Sequence, residues 1–358
     1  MIELKIGASS RALISSGLLD RAGDLIDVNL GHRCAIICDT NVEPLFAERV
    51  RRSLESNGFQ PTTITVAPGE KSKTLEQVGS ICDQMISARL DRESFVVGLG
   101  GGVIGDISGF VAAIFHRGIP HVQIPTTLLA MVDSSIGGKT GVNTRDGKNL
   151  IGAMHQPALV IDDVDLLKSL PSREFNQGFA EVIKHAIIAD AEMFAEVAQA
   201  SGLRNNKIAS ETLAPLIARN IEVKMKFVVS DQNDRTGERA LLNFGHTIGH
   251  AIERAGDYQR LLHGEAISLG MIAASAISSR KFGLPENQQS AIVDLLKAYQ
   301  LPTKLPADFP RAKILEALPF DKKFVNGKIH FVITSKIGSA FVTDDVTLED
   351  IREAMDEL

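Results

Sequence analysis

The sequence predicts an N-terminal α/β domain with a mainly parallel sheet, followed by a mainly helical domain. Two observations lead to this fold class. Apolar runs typical of strands alternate with helical stretches through the first third of the chain, and from about Pro171 long helical periodicities replace them. The length of 358 residues suits two domains of ordinary size. We therefore expect one domain at residues 1–165 and a second at residues 166–358.

The strands of the first domain are short apolar runs separated by helical segments. We predict strands at Ile2–Ile6, Cys34–Cys38, Thr62–Val66, Phe95–Leu99 and Val122–Ile124. Helices are expected between them, near Asn41–Asn57 and Ser72–Ala88. Strands that alternate with helices run in the same direction, so the sheet is expected to be mainly parallel and covered on both faces.

The second domain has the spacing of amphipathic helices. Between Pro285 and Pro302 the apolar residues that share one helix face are Ile292, Leu295, Leu296 and Tyr299. A short strand is predicted at Lys328–Thr334. Thr347, with Asp350 three residues later, has the pattern of a capping box and predicts the start of the last helix.

Composition and charge exclude several classes of protein. A content of 44% hydrophobic and 23% charged residues excludes a disordered or fibrous chain, and the net charge of -6 disfavours a nucleic-acid partner. Three cysteines, Cys34, Cys38 and Cys82, are too few for a disulfide framework. Neither a signal peptide nor an apolar run of membrane-spanning length is visible. We expect a soluble cytoplasmic protein with a small-molecule partner and no membrane partner.

A glycine-rich turn follows the predicted strand Phe95–Leu99. Gly100, Gly102 and Gly105 match G-x-G-x-x-G, a pattern in which the backbone can approach a pyrophosphate at a helix N-terminus. The turn is not in the first βαβ unit, and no acidic residue follows at the usual distance. Asp39, at the end of an earlier strand, could bind a ribose instead. A nucleotide site and a tight structural turn both remain open here.

The segment Asp133–Gly141 ends like a P-loop but lacks its first glycine. Asp133 stands where that glycine is required, and its carboxylate would repel phosphates, so we reject a nucleotide triphosphatase. Lys139, Lys148 and Arg117 are cations beside glycine turns. Such cations suit a small phosphorylated or carboxylated substrate, although each of them alone is also ordinary surface charge.

Histidines and one carboxylate in the helical domain have the composition of a metal site. His246 and His250 are spaced i, i+4 and so share a helix face, and His263 follows them. Glu181 and Lys184 are spaced i, i+3 in an apolar helical stretch. Two or three histidines with one carboxylate are the ligands of a catalytic zinc. The spacing does not determine which three bind, and a polar helix face is the alternative.

These motifs, in this order, resemble those of the 3-dehydroquinate synthase family, within the sugar phosphate cyclases. The resemblance covers nearly the whole chain. The motifs that carry it are Gly-Gly-Gly-Val-Ile-Gly-Asp from Gly100, Pro-Thr-Thr-Leu-Leu-Ala from Pro125, the run from Asp133 to Lys139, Gly-Lys-Asn from Gly147, Gly-Phe-Ala-Glu-Val-Ile-Lys from Gly178, Leu-Asn-Phe-Gly-His from Leu242 and His-Gly-Glu from His263.

The resemblance implies a fold, cofactors and a reaction. It implies an N-terminal Rossmann-like domain that binds NAD, a C-terminal helical domain that holds zinc or cobalt, and a homodimer. The implied substrate is 3-deoxy-D-arabino-heptulosonate 7-phosphate, a phosphorylated seven-carbon keto acid of the shikimate pathway. Transient oxidation by NAD, elimination of phosphate, reduction and aldol closure give 3-dehydroquinate. Because NAD is regenerated, the enzyme is a phosphate lyase.

The resemblance also implies residue roles. The metal ligands are Glu181, His246 and His263, which leaves His250 on the substrate side or in proton transfer. The other substrate-binding positions are Arg117, Lys139, Lys148, Asn149, Lys184, Lys224, Arg239, Asn243 and one of Lys322 or Lys323. NAD is held by Asp39, Glu70, Lys73, Gly101, Gly102, Val103, Asp106, Thr126, Thr127, Asp133, Lys139, Lys148 and Ser169.

The sequence departs from the family pattern in two places. The segment before Arg239 is one residue longer than usual, so Lys226 is an alternative to Lys224. Ser169 replaces a frequent threonine and keeps its hydroxyl.

Three rival functions remain. They are a cyclase that makes valiolone or deoxy-inosose, a metal-dependent polyol dehydrogenase, and a non-catalytic binding protein. Arg239, Asn243 and His250 favour the dehydroquinate synthase over the other cyclases, and the metal triad disfavours a non-catalytic protein.

Overall fold

The computed structural model describes residues 1–145, 147–200, 208–230, 238–318, 324–325 and 328–358. The chain divides into two compact units. The first comprises Met1–Leu170 with Ile208–Met225, and the second comprises Pro171–Lys207 with Lys226–Leu358. The boundary at residue 165 that we derive from sequence stays a prediction.

The first unit is built on a seven-stranded sheet. The strands of the unit are β1 Ile2–Lys5, β2 Arg11–Ser15, β3 Arg33–Asp39, β4 Gln60–Val66, β5 Phe95–Gly100, β6 His121–Pro125, β7 Lys139–Val142, β8 Ile151–Met154 and β9 Leu159–Asp163. The order in the sheet is β1-β2-β9-β6-β5-β3-β4. β1 and β2 pair antiparallel, and all other neighbours in this sheet are parallel, so the predicted mainly parallel sheet is confirmed. The helices of the unit are α1 Ala22–Leu25, α2 Glu48–Ser56, α3 Leu75–Ser87, α4 Gly102–Ile114 and most of α7 Ser210–Ser230.

All five predicted strands are present, within one or two residues at each end. The sequence reasoning missed β2, β9 and the hairpin of β7 and β8. Strand β9 ends in two aspartates, a residue type depleted in strands, yet it is fully buried between β2 and β6. Cys34 and Cys38 are buried in β3.

The direction in which successive strands are added to the sheet reverses between β3 and β5. From β3 the sheet continues to β4 on one side, whereas β5, β6 and β9 follow on the other. In parallel α/β sheets, ligands bind outside the carboxyl ends of the strands at such a reversal. Here β3 ends at Asp39 and β5 ends at Gly100. The topology therefore indicates a ligand site at these two residues.

Asp162 on β9 is a buried carboxyl that we expect to destabilise the fold. It is fully buried, and neither carboxyl oxygen has a hydrogen-bond partner among the described residues. Burial raises the pKa of Asp162 well above its ordinary value. Folding therefore favours the neutral form of this group, whereas the unfolded chain ionises it at its ordinary pKa, so it costs stability as the pH rises above about 4. We predict that Asp162→Val raises the free energy of unfolding by about 1–3 kcal/mol at pH 7.

Denaturant titration at pH 7 and at pH 4 checks this prediction. The gain should shrink at pH 4, where the carboxyl of the unfolded state is already about half protonated. Asp163→Val is the matched control, since the Asp163 carboxylate accepts hydrogen bonds from Gly17 N at 3.0 Å and Leu19 N at 2.8 Å. That variant should be less stable than the parent. A loss of stability in Asp162→Val would contradict the prediction.

The second unit is mainly helical, as predicted. Its helices are α5 Ser172–Ala189, α6 Ala191–Ala200, α8 His246–Ala255, α9 His263–Phe282, α10 Glu286–Ala298, α11 Arg311–Ala317 and α12 Leu348–Asp356. Its short strands are β10 Phe324–Val325, β11 Lys328–Ile329, β12 Phe331–Lys336 and β13 Ser339–Thr343. The predicted strand Lys328–Thr334 spans β11 and most of β12. Thr347 caps α12 with Asp350 as expected. None of the described helices combines the length and apolar character needed to cross a membrane.

Candidate active site

The N-terminus of α4 lies at the reversal of strand order in the first unit. Gly101 is its N-cap, and the first-turn N–H groups of a helix have no acceptor within the helix. A Cβ on Gly102 would lie 2.9 Å from Ser134 Oγ, and one on Gly101 would lie 3.1 Å from Thr127 Cγ2. The two glycines thus allow two hydroxyl side chains close to the helix N-terminus. Backbone N–H groups, the helix dipole and hydroxyls suit a pyrophosphate.

Lys73 organises the polar groups beside α4. Its Nζ is buried and donates to Asp106 Oδ2 and to Asn149 Oδ1. Burial raises the pKa of Asp106, against the lowering effect of the Lys73 ammonium. Glu70 accepts a hydrogen bond of 2.8 Å from the Asn143 side chain. The structure thus brings together four of the residues predicted from sequence: Glu70, Lys73, Asp106 and Asn149.

Lys224 on α7 binds Asp133. Its Nζ lies 2.5 Å from the Asp133 carbonyl oxygen and 2.7 Å from Asp133 Oδ1. Lys224 is buried, whereas the alternative Lys226 is exposed. Of the two candidate lysines, Lys224 is therefore the buried one and the one that contacts Asp133.

The other predicted residues of the first unit are at turns and element ends. Asp39 caps its own turn by accepting from Asn41 N at 2.8 Å. The Ser169 hydroxyl donates to the Leu166 carbonyl at 2.8 Å. Arg117 is exposed and has a positive φ of 69°. The remaining predicted positions are Val103 and the partly buried Thr127 near the start of helices, the buried Thr126 after β6, the exposed Lys139 at the start of β7 and the partly buried Lys148 before β8.

In the second unit, α5 carries a carboxylate and an ammonium into the core. The helix is buried along most of its length. Glu181 is 0% exposed and Lys184 is 1% exposed. Lys184 Nζ donates to Glu181 Oε2, whereas Glu181 Oε1 has no hydrogen-bond partner among the described residues. A buried carboxylate oxygen without a donor is a strong site for a cation.

The N-terminus of α8 brings His246 to this carboxylate. Gly245 caps the helix with a φ of 76°, and a Cβ on it would lie 2.6 Å from Met271 Cγ. A Cβ on Gly270 would lie 1.9 Å from the Gly245 carbonyl oxygen. Only glycine allows α8 and α9 to approach so closely. As a result, His246 Nε2 lies 3.4 Å from Glu181 Oε1.

The N-terminus of α9 brings His263 to the same oxygen. Gln177 Oε1 accepts a hydrogen bond of 3.0 Å from Gly264 N, which ties the start of α9 to α5. His263 Nε2 lies 3.6 Å from Glu181 Oε1. Two ligands about 2.1 Å from a tetrahedral zinc lie about 3.4 Å apart. The three ligand atoms all lie within 4.8 Å of one another, so this donor set fits a divalent metal.

The charges within this triad explain its pKa shifts. Burial would raise the pKa of Glu181, but the Lys184 ammonium and the His246 imidazole hold it well below its usual value. Burial and the Lys184 charge lower the pKa of His246 to about 3. Burial acts to lower the pKa of His263, yet the carboxylates of Glu253 and Glu181 raise it to about 10. A divalent ion bound here would displace a proton from His263.

The other predicted residues of the second unit are His250, Arg239, Asn243 and one of Lys322 or Lys323. His250 is exposed on α8, and its ring centroid lies 5.2 Å from that of His246 and 6.2 Å from that of His263. Arg239 is buried and Asn243 partly buried in the 3-10 turn that leads into α8. Lys322 and Lys323 lie outside the described residues.

Sequence reasoning missed three residues that hold predicted site residues in place. Glu253 Oε2 lies 3.1 Å from His263 Nδ1, Gln177 binds the start of α9, and Asn143 binds Glu70. For Glu253 a sequence signal existed, because a carboxylate three residues after His250 shares its helix face. Gln177 and Asn143 act through contacts distant in sequence, which no local spacing indicates.

We predict that Gly264→Ala destroys the geometry of the triad. A Cβ on Gly264 would lie 2.1 Å from the Gln177 carbonyl oxygen, so the start of α9 would have to move away from α5. The affinity for zinc or cobalt, measured by competition with a chelator, should fall at least about tenfold. Gly79→Ala is the matched control, because a Cβ there has open space on α3. Unchanged metal affinity in Gly264→Ala would contradict the prediction.

Two family models cover most of the chain. The N-terminal model of 3-dehydroquinate synthase matches residues 63–177, and the C-terminal model of 3-dehydroquinate synthase matches residues 178–324. The 3-dehydroquinate synthase of Agrobacterium fabrum is 43% identical over 357 residues, covering 96% of this chain and 93% of the relative. That of Symbiobacterium thermophilum is 44% identical over 350 residues, covering 96% of each chain.

Solved structures of related cyclases share the fold. The 2-epi-5-epi-valiolone synthase of Streptomyces hygroscopicus, solved with NAD+ and Zn2+, has a TM-score of 0.89 and 28% identity and covers 98% of this chain and 97% of its own. A 2-deoxy-scyllo-inosose synthase, solved with carbaglucose-6-phosphate, NAD+ and Co2+, has a TM-score of 0.90 and 25% identity and covers 99% of each chain. Because both family models and the curated relatives agree along nearly the whole length, the chain belongs to the 3-dehydroquinate synthase family.

Proposed function

We propose that the protein converts 3-deoxy-D-arabino-heptulosonate 7-phosphate to 3-dehydroquinate and phosphate, as a carbon-oxygen lyase of the shikimate pathway. The observation that carries the proposal is the buried Glu181 Oε1, faced by the Nε2 atoms of His246 and His263. It occurs in a chain that both family models match. A structural role alone does not account for two imidazole nitrogens directed at an unpartnered carboxylate oxygen.

We assign Glu181, His246 and His263 to one divalent ion, zinc or cobalt. When bound, the ion would supply a Lewis acid that lowers the pKa of the substrate hydroxyl to be oxidised. Glu181 would hold it with a full negative charge, and the two imidazoles would hold it through Nε2. The Lys184 ammonium, held against Glu181 Oε2, is a buried donor that can bind a substrate oxygen.

We assign NAD to the carboxyl edge of the sheet in residues 1–165. When bound, NAD would supply the hydride acceptor for the transient oxidation and be regenerated, with no net NADH. The N-terminus of α4 would bind the pyrophosphate, and Asp39, at the end of the neighbouring strand β3, is suited to a ribose hydroxyl. The supporting residues beside them are Glu70, Lys73, Val103, Asp106, Thr126, Thr127, Asp133, Lys139, Lys148 and Ser169.

The substrate is a dianionic phosphate with a carboxylate, and the proposed contacts are mainly cations. Positive side chains and two amides can hold both anionic groups and so orient the ring for reaction. His250, exposed beside His246, is suited to bind substrate or to transfer a proton. The proposed contacts are Arg117, Lys139, Lys148, Asn149, Lys184, Lys224, Arg239, Asn243 and one of Lys322 or Lys323.

An assay with the heptulosonate phosphate, NAD and added zinc or cobalt tests the function. We expect release of phosphate and formation of 3-dehydroquinate without net NADH, and loss of both after chelation of the metal. Net NADH from a simple polyol, without phosphate release, would contradict the proposal. A valiolone or deoxy-inosose product from another sugar phosphate would instead favour a related cyclase. A homodimer and a cytoplasmic location remain predictions.

A further inference from the structure

Glu253 is a buried carboxylate that the proposed reaction does not use. It lies on α8, seven residues after His246, and its side chain is 3% exposed. Its Oε2 lies 3.1 Å from Nδ1 of His263 on the neighbouring helix α9. A carboxylate is costly to bury, so its place beside an imidazole needs a physical reason.

The contact with Glu253 determines how His263 faces the triad. An imidazole Nδ1–H donates to a carboxylate oxygen, which leaves the lone pair on Nε2. His263 Nε2 is the atom that lies 3.6 Å from Glu181 Oε1. His246 repeats the arrangement with a neutral acceptor, because its Nδ1 lies 3.1 Å from the Phe244 carbonyl oxygen. Both imidazoles are thus held through Nδ1 and present Nε2 to the same carboxylate.

We propose that Glu253 is a positioning residue that orients His263 and strengthens it as a ligand of a divalent metal. The proposal rests on the metal site assigned above. A carboxylate behind a metal-bound imidazole fixes its tautomer and makes the ring a better donor. Glu253 itself contacts neither metal nor substrate in this arrangement.

A different use of the same residues is geometrically possible. One ligand atom from each of His250, Glu253 and His263 lies within 4.8 Å of the other two. His263 belongs to both sets, so an ion in this second set would either compete with the triad for the His263 imidazole or break the contact of its Nδ1 with Glu253. We therefore expect one metal ion per chain and not two.

Metal titration of two variants tests the proposal. Glu253→Gln keeps the shape and an acceptor oxygen but removes the charge, whereas Glu253→Leu removes the acceptor. We expect the affinity for Zn2+ and Co2+, measured against a chromophoric chelator, to fall about 10–100-fold in Glu253→Leu and less in Glu253→Gln. The visible spectrum of bound Co2+ should also change in Glu253→Leu. The exposed Glu286→Gln is the control and should match the parent.

The outcomes separate this proposal from the proposed function. Parent affinity and an unchanged Co2+ spectrum in both Glu253 variants would overturn the positioning role while leaving the function intact. Two ions per parent chain would also overturn it, in favour of Glu253 as a ligand. A parent protein that binds no divalent ion would overturn the metal site and this proposal together. Graded losses with one ion per chain would support the role of Glu253.

Discussion

Replacement of His263 by alanine is expected to abolish metal binding and to lower turnover by at least about 10³-fold. The variant removes one of the two neutral donors that face Glu181 Oε1 and leaves only Glu181 and His246 in the set. A zinc site needs three protein ligands to retain the ion. A bound metal stabilises the transition state by several kcal/mol, and loss of that stabilisation lowers turnover by about this 10³-fold factor.

Two measurements check the His263→Ala result. Metal content after dialysis should fall below one ion per chain, and phosphate release from the heptulosonate phosphate should cease at metal concentrations that saturate the parent. His32→Ala is the control, because His32 is exposed before β3 and outside the triad. Full metal content with parent turnover in His263→Ala would show that His263 is not a ligand.

Replacement of Lys184 by methionine is expected to separate metal binding from turnover. Lys184 contacts Glu181 through Oε2, whereas the two imidazoles approach Oε1. The proposed metal ligands therefore remain, but the buried ammonium proposed to bind a substrate oxygen is gone. Removal of one such charged donor from a buried site lowers kcat by about 10²–10³-fold. Methionine keeps the length of the buried stem and avoids a cavity.

The Lys184→Met experiment requires metal content and turnover on the same sample. One ion per chain with kcat reduced by the stated factor is the expected result. Removing the ammonium also leaves Glu181 without its cation, so the metal-free variant should unfold at lower denaturant than the parent. The exposed Lys297→Met on α10 is the control. Loss of the metal in Lys184→Met would mean that the role we assign to Lys184 on α5 is wrong.

Much of the fold could be predicted because its signals are local. Apolar runs such as Phe95–Leu99 are long enough to be recognised as strands, and Thr347 with Asp350 caps a helix within one turn. Strand β9 escaped prediction because its two aspartates are unfavourable strand residues. What places it in the sheet is pairing with β2 and β6, more than 30 residues away in sequence.

The sequence by itself determined the class of fold, the glycine turn before α4 and the types of residue that form the candidate site. Residue spacing could not choose among His246, His250 and His263, because it says which residues share a helix face but not what that face meets; only the family resemblance implied His246 and His263. The tertiary structure decided which imidazoles face Glu181, through close helix contacts at Gly245, Gly264 and Gly270. Those contacts direct two Nε2 atoms to Glu181 and leave His250 exposed. The physical reason is that backbone approach between distant helices depends on long-range packing, which residue spacing does not encode.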